Sequence, residues 1–208
     1  IIKLKDLAHP KTLLDMNPHY GKHFPLYKKL DAKRITQVIW SKYNLDVIKE
    51  YQRKNPARIK VKYCGPKQNV SQCTDNAKFD CIMNFSGLHN SMKDSDTFQR
   101  TMKSISESLL PGGFFIGSII NGDKLNQRFS DVPKFGHIRL GEQRYTKFYD
   151  TSNSNNSYGK MYSRVHQAGQ HVEFLVFPDV LTTELGKYKI TPLQSKHQGV
   201  HTYFVYKK

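Results

Sequence analysis

Short apolar blocks punctuate the first 120 residues, and their spacing switches between a strand period of two and a helical period near 3.6. Leu13-Leu14-Asp15-Met16, bounded by Pro10 and Asn17-Pro18, predicts a buried strand that runs at once into a loop. Phe24, Leu26, Tyr27 and Leu30 predict a helix. Ile35–Trp40 is rich in β-formers and predicts a second strand. Asn44 suits the cap of a following helix with Leu45, Ile48 and Tyr51 on one face. Ile59–Tyr63 alternates and Phe79–Phe85 is largely apolar, giving strands three and four. Asp94 or Ser95 opens a helix with Phe98, Met102, Ile105, Leu109 and Leu110 on one side. Pro111-Gly112-Gly113 stops it, and Phe114–Ile120 is the fifth strand. Strand and helix alternating in this way predict a doubly wound, mostly parallel α/β sheet.

Beyond residue 120 the rhythm changes. Residues 125–157 are polar, and Thr151–Ser157 is a low-complexity loop. Met161–Val165, Val172–Phe177 and Val200–Tyr206 then read as strands, an antiparallel ending on the parallel sheet. No repeat or linker divides the chain, so one domain is expected over residues 1–208.

Composition narrows the class. Aromatic residues make up 12% of the chain, more than disordered sequences carry. No apolar run is long enough for a membrane span, and the opening Ile1-Ile2-Lys3-Leu4-Lys5 has no signal-peptide pattern; such an opening suggests a piece of a longer protein. Cys64, Cys73 and Cys81 lack metal-site spacing and are expected as reduced intracellular thiols. No HExxH or other tight metal-ligand spacing stands among the nine histidines, so no metal is expected. The net charge is +16, concentrated early: residues 1–70 hold sixteen Lys/Arg against five acids. A polyanion partner is implied, with Lys22, Lys28, Lys29, Lys33, Arg34, Arg53 and Lys54 as candidate phosphate contacts.

Three local patterns go further. The first is Phe79-Asp80-Cys81-Ile82-Met83-Asn84-Phe85-Ser86-Gly87-Leu88-His89-Asn90-Ser91. The second is Leu109-Leu110-Pro111-Gly112-Gly113-Phe114-Phe115-Ile116-Gly117-Ser118, followed by Asn121-Gly122-Asp123. The third is Tyr158-Gly159-Lys160-Met161-Tyr162, then Val172-Glu173-Phe174 and Thr183-Glu184-Leu185. In this order and spacing they resemble the mRNA cap guanine-N7 methyltransferases, over about residues 10–208. The resemblance implies a class I, Rossmann-like methyltransferase fold, S-adenosylmethionine as cofactor and capped mRNA as substrate. It places the cofactor half before about residue 120 and the cap- and RNA-binding elements after it. Lys-rich sequence and divergent motifs are similar to large DNA viruses, where this domain accompanies a triphosphatase and a guanylyltransferase and works in the cytoplasm, in viral factories or virions.

Carried over residue by residue, the resemblance puts the cofactor against Asp15, Met16, Asn17, Gly21, Lys42, Asn44, Phe85 and Ser86. It puts the cap guanine against His89, Asn90, Glu184 and His201. The family's glycine-rich loop after strand one is here Leu14-Asp15-Met16-Asn17-Pro18-His19-Tyr20-Gly21-Lys22-His23, with one glycine kept and His23 in place of an Asp. The ribose-binding acid after strand two falls on Lys42, which has no acceptor atom. Weak or atypical cofactor binding is therefore expected.

The implied chemistry is in-line attack of guanine N7 on the methyl carbon. N7 carries no proton, so no general base is needed, and proximity and alignment do the work. One carboxylate can accept both guanine N1–H and N2–H, which recommends a glutamate as reader of the base. Two alternatives stay open: a degenerate methyltransferase fold acting as a non-enzymatic RNA-binding or partner-stimulating module, and transfer to another position such as a ribose 2′-hydroxyl.

Overall fold

The computed structural model describes residues 9–18, 23–40, 48–50, 53, 58–64, 69–149, 157–166 and 169–208. The expectations placed on Gly21, Lys22, Lys42, Asn44, Lys54 and the loop 151–156 lie outside these residues.

A seven-stranded sheet forms the frame. Its strands are β1 (Thr12–Asp15), β2 (Arg34–Ile39), β3 (Ile59–Tyr63), β4 (Phe79–Phe85), β5 (Leu109–Ile120), β10 (Thr191–Gln198) and β11 (His201–Lys207), in the spatial order β10-β11-β5-β4-β1-β2-β3. The pairs from β3 to β5 are parallel, and β11 and β10 close the edge antiparallel. Strand order reverses between β1 and β4, so a crevice opens beyond their carboxyl ends, where doubly wound sheets bind ligands.

Both faces of the central strands β1, β4 and β5 are buried, which is why they read as nearly unbroken apolar runs. Leu14, Ile82 and Phe115 pack on one face under α3 (Ser95–Ser108), with Phe98, Met102 and Ile105. Leu13, Met83 and Ile116 pack on the other with Tyr27 and Leu30 of α1 (Phe24–Leu30). Asp94 caps α3, its Oδ1 accepting from the Thr97 amide at 2.7 Å. That helix ends at Ser108, and Leu109 and Leu110, expected on its apolar face, begin β5 instead. The Pro111-Gly112-Gly113 stop is absorbed into the strand as a register shift against β4, with Gly112 at φ +76°.

A second, four-stranded antiparallel sheet joins β6 (His137–Leu140), β7 (Gln143–Lys147), β8 (Met161–His166) and β9 (Gly169–Phe174) in that order. The hairpin β6–β7 falls in a polar stretch where the sequence predicted no strand. Its strands expose one side, so their apolar positions are too sparse to stand out. Val172–Phe177 is a strand only to Phe174, because Phe177 caps α5 (Pro178–Gly186). Lys147 is buried and donates through Nζ to the Phe129 and Val132 carbonyls, which stitches β7 to the end of α4 (Gly122–Arg128).

Two of the three cysteines correct the expectation of free thiols. Cys64, just past β3, and Cys73, at the end of α2 (Val70–Cys73), are paired as a disulfide with Cα atoms 5.6 Å apart. Their closeness comes from the packing of α2 over the sheet, which a nine-residue spacing does not reveal. Cys81 is free and buried in β4. No helix among the described residues is long and apolar enough to cross a membrane, and none of their side-chain clusters suits a metal ion.

Candidate cofactor cavity and substrate pocket

A cavity of about 580 Å³ opens beyond the carboxyl ends of β1, β2 and β4. Met16 and Asn17 come from the loop after β1, Trp40 from the end of β2, and Asn84, Gly87 and Asn90 from β4 and its turn. The loop after β1 is tied down by side chains. Asp15 is fully buried, its Oδ1 accepts from the Asn17 amide at 2.9 Å, and its Oδ2 lies 2.6 Å from His23 Nδ1 and 2.5 Å from Tyr27 Oη. Burial and the Asp15 carboxylate raise the Tyr27 pKa far above its ordinary value. Asn17 Nδ2 donates to the Phe85 carbonyl at 2.8 Å, linking this loop to the turn after β4.

That turn depends on Gly87. Its amide donates to Asn84 Oδ1 at 2.9 Å, and a Cβ there would stand 2.4 Å from the same oxygen and 3.0 Å from Asn17 Cβ. A 3-10 helix, Leu88–Lys93, then sends adjacent residues to opposite sides. Asn90 lines the large cavity, while His89 lines a second pocket with Ser86, Tyr162, Glu173 and Phe174. Leu88 is a wall of both.

Glu173 is the charged group of this second pocket, and it is 3% exposed. It faces Tyr162 across the β8–β9 ladder. Tyr162 Oη donates to its Oε2 at 2.5 Å, and Arg164 Nη2 donates to its Oε1 at 2.7 Å. Burial first, then the Glu173 charge, raises the Tyr162 pKa well above its usual range. His201, at the start of β11, is paired in register with Ile120, another wall of the pocket. Burial and then the charge of Arg164 lower its pKa, with Glu173 opposing.

The sequence-derived residues are thus dispersed. Met16, Asn17 and Asn90 line the large cavity; Ser86 and His89 line the small one. Asp15 lies beneath the β1 loop, and the Phe85 ring packs edge-on against His23 at 5.1 Å. Glu184 is in α5, where its Oε1 accepts from Lys187 Nζ at 2.5 Å; the lining beside His89 holds Glu173 instead. Lys28, Lys29, Lys33 and Arg34 are exposed at the amino-terminal edge of the sheet, across the length of β2 (about 20 Å) from the cavity. Arg53 is also exposed and lies 3.3 Å from Glu50. Trp40, Asn84, Gly87, Tyr162, Arg164 and Glu173 were given no site role from sequence, although Asn84, Gly87, Tyr162 and Glu173 lie within the quoted motifs. Glu173 had a signal, a lone acid inside an otherwise apolar run.

The comparisons with known proteins decide the family. The model of the mRNA (guanine-N(7))-methyltransferase domain matches residues 42–205. The chain belongs to this family. It is an S-adenosylmethionine-dependent enzyme that methylates N7 of the mRNA cap guanine. No curated protein sequence matches it. Among solved structures it is similar to an S-adenosylmethionine-dependent methyltransferase from Clostridium acetobutylicum, at 18% identity and TM-score 0.66, over 94% of this chain and 83% of that one. It is also similar to the CcbJ methyltransferase from Streptomyces caelestis, at 16% identity and TM-score 0.69, over 98% and 91%. A third is the 1,6-didemethyltoxoflavin-N1-methyltransferase of Burkholderia thailandensis, solved with S-adenosylhomocysteine, at 16% identity and TM-score 0.57, over 95% and 70%. At these identities the likeness shows the fold.

The residues of this cap methyltransferase fit the cofactor in position and shape. The cavity lies at the strand-order reversal, and the turn at Gly87 closes against Asn17 and Asn84 with no room for a Cβ. Its described lining offers amides, hydroxyls, an indole and the Arg100 guanidinium, with no carboxylate.

Proposed function

We propose that the large cavity holds S-adenosylmethionine and the small pocket reads the cap guanine. The observation that carries this reading is their common wall: Leu88 lines both, and residues 86–90 divide them. Methyl transfer needs donor and acceptor in direct contact, and two sites that adjoin at one turn meet across it once the wall at Leu88 gives way. The cofactor supplies an electrophilic methyl group; the chain's own part is to hold N7 in line with it.

In this arrangement Glu173, rather than Glu184, accepts the guanine N1–H and N2–H. A carboxylate has about four lone-pair sites, and Tyr162 and Arg164 occupy one on each oxygen of Glu173. The remaining two suit the adjacent donors of guanine and leave adenine, with a ring acceptor at N1, unpaired. His89 and His201 flank the base. As it stands the pocket has room for only about 10 Å³, so the base enters as its walls part.

The test is transfer of labelled methyl from S-adenosylmethionine to a short capped RNA, with the methylated nucleotide identified. Label on N7 supports the assignment. Glu173→Gln should cut methyl transfer by about 10²-fold or more and leave cofactor affinity unchanged, while Glu184→Gln should leave kcat/KM nearly intact. The reverse ranking would move the guanine site to α5.

Capped mRNA as bound partner follows from the same reading, and the excess of basic residues supports contact with the RNA beyond the cap. Lys28, Lys29, Lys33 and Arg34 fit contacts to its distal part, since they stand at the edge opposite the cavity. A viral, cytoplasmic capping enzyme with triphosphatase and guanylyltransferase partners is the setting we infer, supported by the Lys-rich composition and the divergent β1 loop alone.

A further inference from the structure

Trp40, the chain's one tryptophan, follows directly on β2. Val38 and Ile39 before it are buried, yet Trp40 is 42% exposed. Leaving so large an apolar ring half in water forgoes the stabilisation that covering it would bring. Its placement is nevertheless fixed. Nε1, the ring's single polar atom, donates to the Met16 carbonyl at 3.0 Å, which pins the indole across from the β1 loop. The pinned ring forms one wall of the 580 Å³ cavity, with Asn17, Asn69 and Asn84 among the other linings.

The polar groups around it are poorly suited to gripping a ribose diol. Amides and hydroxyls bond a diol more weakly than a carboxylate, whose charge-assisted bonds are roughly twice as strong, and no carboxylate is in the described lining. An aromatic face offers a different anchor, since stacking of one base on an aromatic side chain is worth about 1–3 kcal/mol.

We propose that Trp40 is the platform on which the adenine ring of S-adenosylmethionine stacks, so that base stacking anchors the cofactor in a cavity whose described lining holds no carboxylate. The inference rests on the assignment of the large cavity to the cofactor. It also gives the single indole a purpose that its half-exposed position otherwise lacks.

Because the chain has one tryptophan, its emission, excited beyond the absorption of the twelve tyrosines, reports on this ring alone. The experiment titrates S-adenosylhomocysteine into the whole chain while following that emission, and measures labelled S-adenosylmethionine binding in parallel by equilibrium dialysis. Saturable quenching with the same Kd in both is the expected result. Adenosine should quench and homocysteine should not. Trp40→Phe should keep affinity within a few-fold, and Trp40→Ala should weaken it roughly tenfold to a hundredfold. Cofactor binding by dialysis with unchanged emission, or equal affinity in Trp40→Ala, overturns the platform while leaving N7 methylation intact. Absence of both cofactor binding and methyl transfer in the unaltered chain overturns the cavity assignment and the platform together.

Discussion

His23 Nδ1 lies 2.6 Å from Asp15 Oδ2, and this contact stands where the family has a glycine-rich loop and a second acid. The carboxylate is fully buried and takes three donors: the His23 ring, Tyr27 Oη and the Asn17 amide. Gln37 Nε2 extends the chain by donating to Tyr27 Oη at 2.9 Å. A loop left with one glycine brings less of its backbone close round a ligand than a glycine-rich one does. Here side chains converge on Asp15 and hold the loop from below.

Replacing His23 by Ala should therefore act on both stability and binding. The Asp15 charge would lose one of its donors, and a hydrogen bond to a charged group is worth about 1.5–3 kcal/mol. Thermal unfolding should drop by about 2–4 °C for each kcal/mol of destabilisation. Cofactor affinity should fall as well, because Asn17 is held through the same carboxylate. An unchanged Tm would mean that Tyr27 and Asn17 satisfy Asp15 without the imidazole.

Gly87→Ala tests the turn that divides the two pockets. The new Cβ would lie 2.4 Å from Asn84 Oδ1, too close for any real contact, so the Gly87–Asn84 bond must break or the turn must move. Overpacking of this kind costs about 1–3 kcal/mol. Both cofactor affinity and methyl transfer should decline together, since Leu88 beside it lines both pockets. Wild-type values for both would show that the turn yields freely.

The parallel core was legible because burial on both faces leaves long apolar runs such as Cys81-Ile82-Met83 and Phe115-Ile116. The hairpin β6–β7 was not, since His137, Arg139 and Arg144 stand exposed along it. At the site, motif matching brought Met16, Asn17 and His89 to cavity walls. It gave the guanine carboxylate to Glu184 of α5, whereas the β8–β9 register sets Glu173 opposite Tyr162 and beside His89, a juxtaposition that sequence order alone does not show. Where the basic zone lies was not legible either: charge is additive along a sequence, but α1 runs back from the cavity and carries Lys28 and Lys29 to the far edge.

That far edge gives a length-dependent prediction. A variant with Lys28, Lys29, Lys33 and Arg34 all replaced by Gln should methylate a cap dinucleotide as the unaltered chain does. On a capped RNA of several tens of nucleotides its KM should rise. The slope of log K against log salt should become shallower by about 0.7 for each phosphate of the single strand that these side chains no longer neutralise. Equal behaviour on both substrates would make them a solvated face.

His201 sets a pH dependence whose sign follows from its surroundings. Burial and the Arg164 charge lower its pKa below the ordinary 6.5. Between the lowered native value and 6.5 the unfolded chain therefore binds a proton that the native chain refuses. More protons bound in the unfolded state means that stability rises with pH across that window. Above it the neutral ring is present in both states and costs nothing; as pH falls through 6.5, stability is lost progressively. His201→Gln removes the titration, so its Tm should decline less than that of the unaltered chain between pH 7.5 and 5, about the range over which an ordinary histidine titrates. The difference between the two curves isolates this histidine from the other eight. Methyl transfer should share the acid limb, since an imidazolium at this position would stand in the field of Arg164 and compete for the carboxylate of Glu173. Parallel Tm curves would show that His201 takes up its proton equally in both states, and would remove it from the guanine pocket's electrostatics.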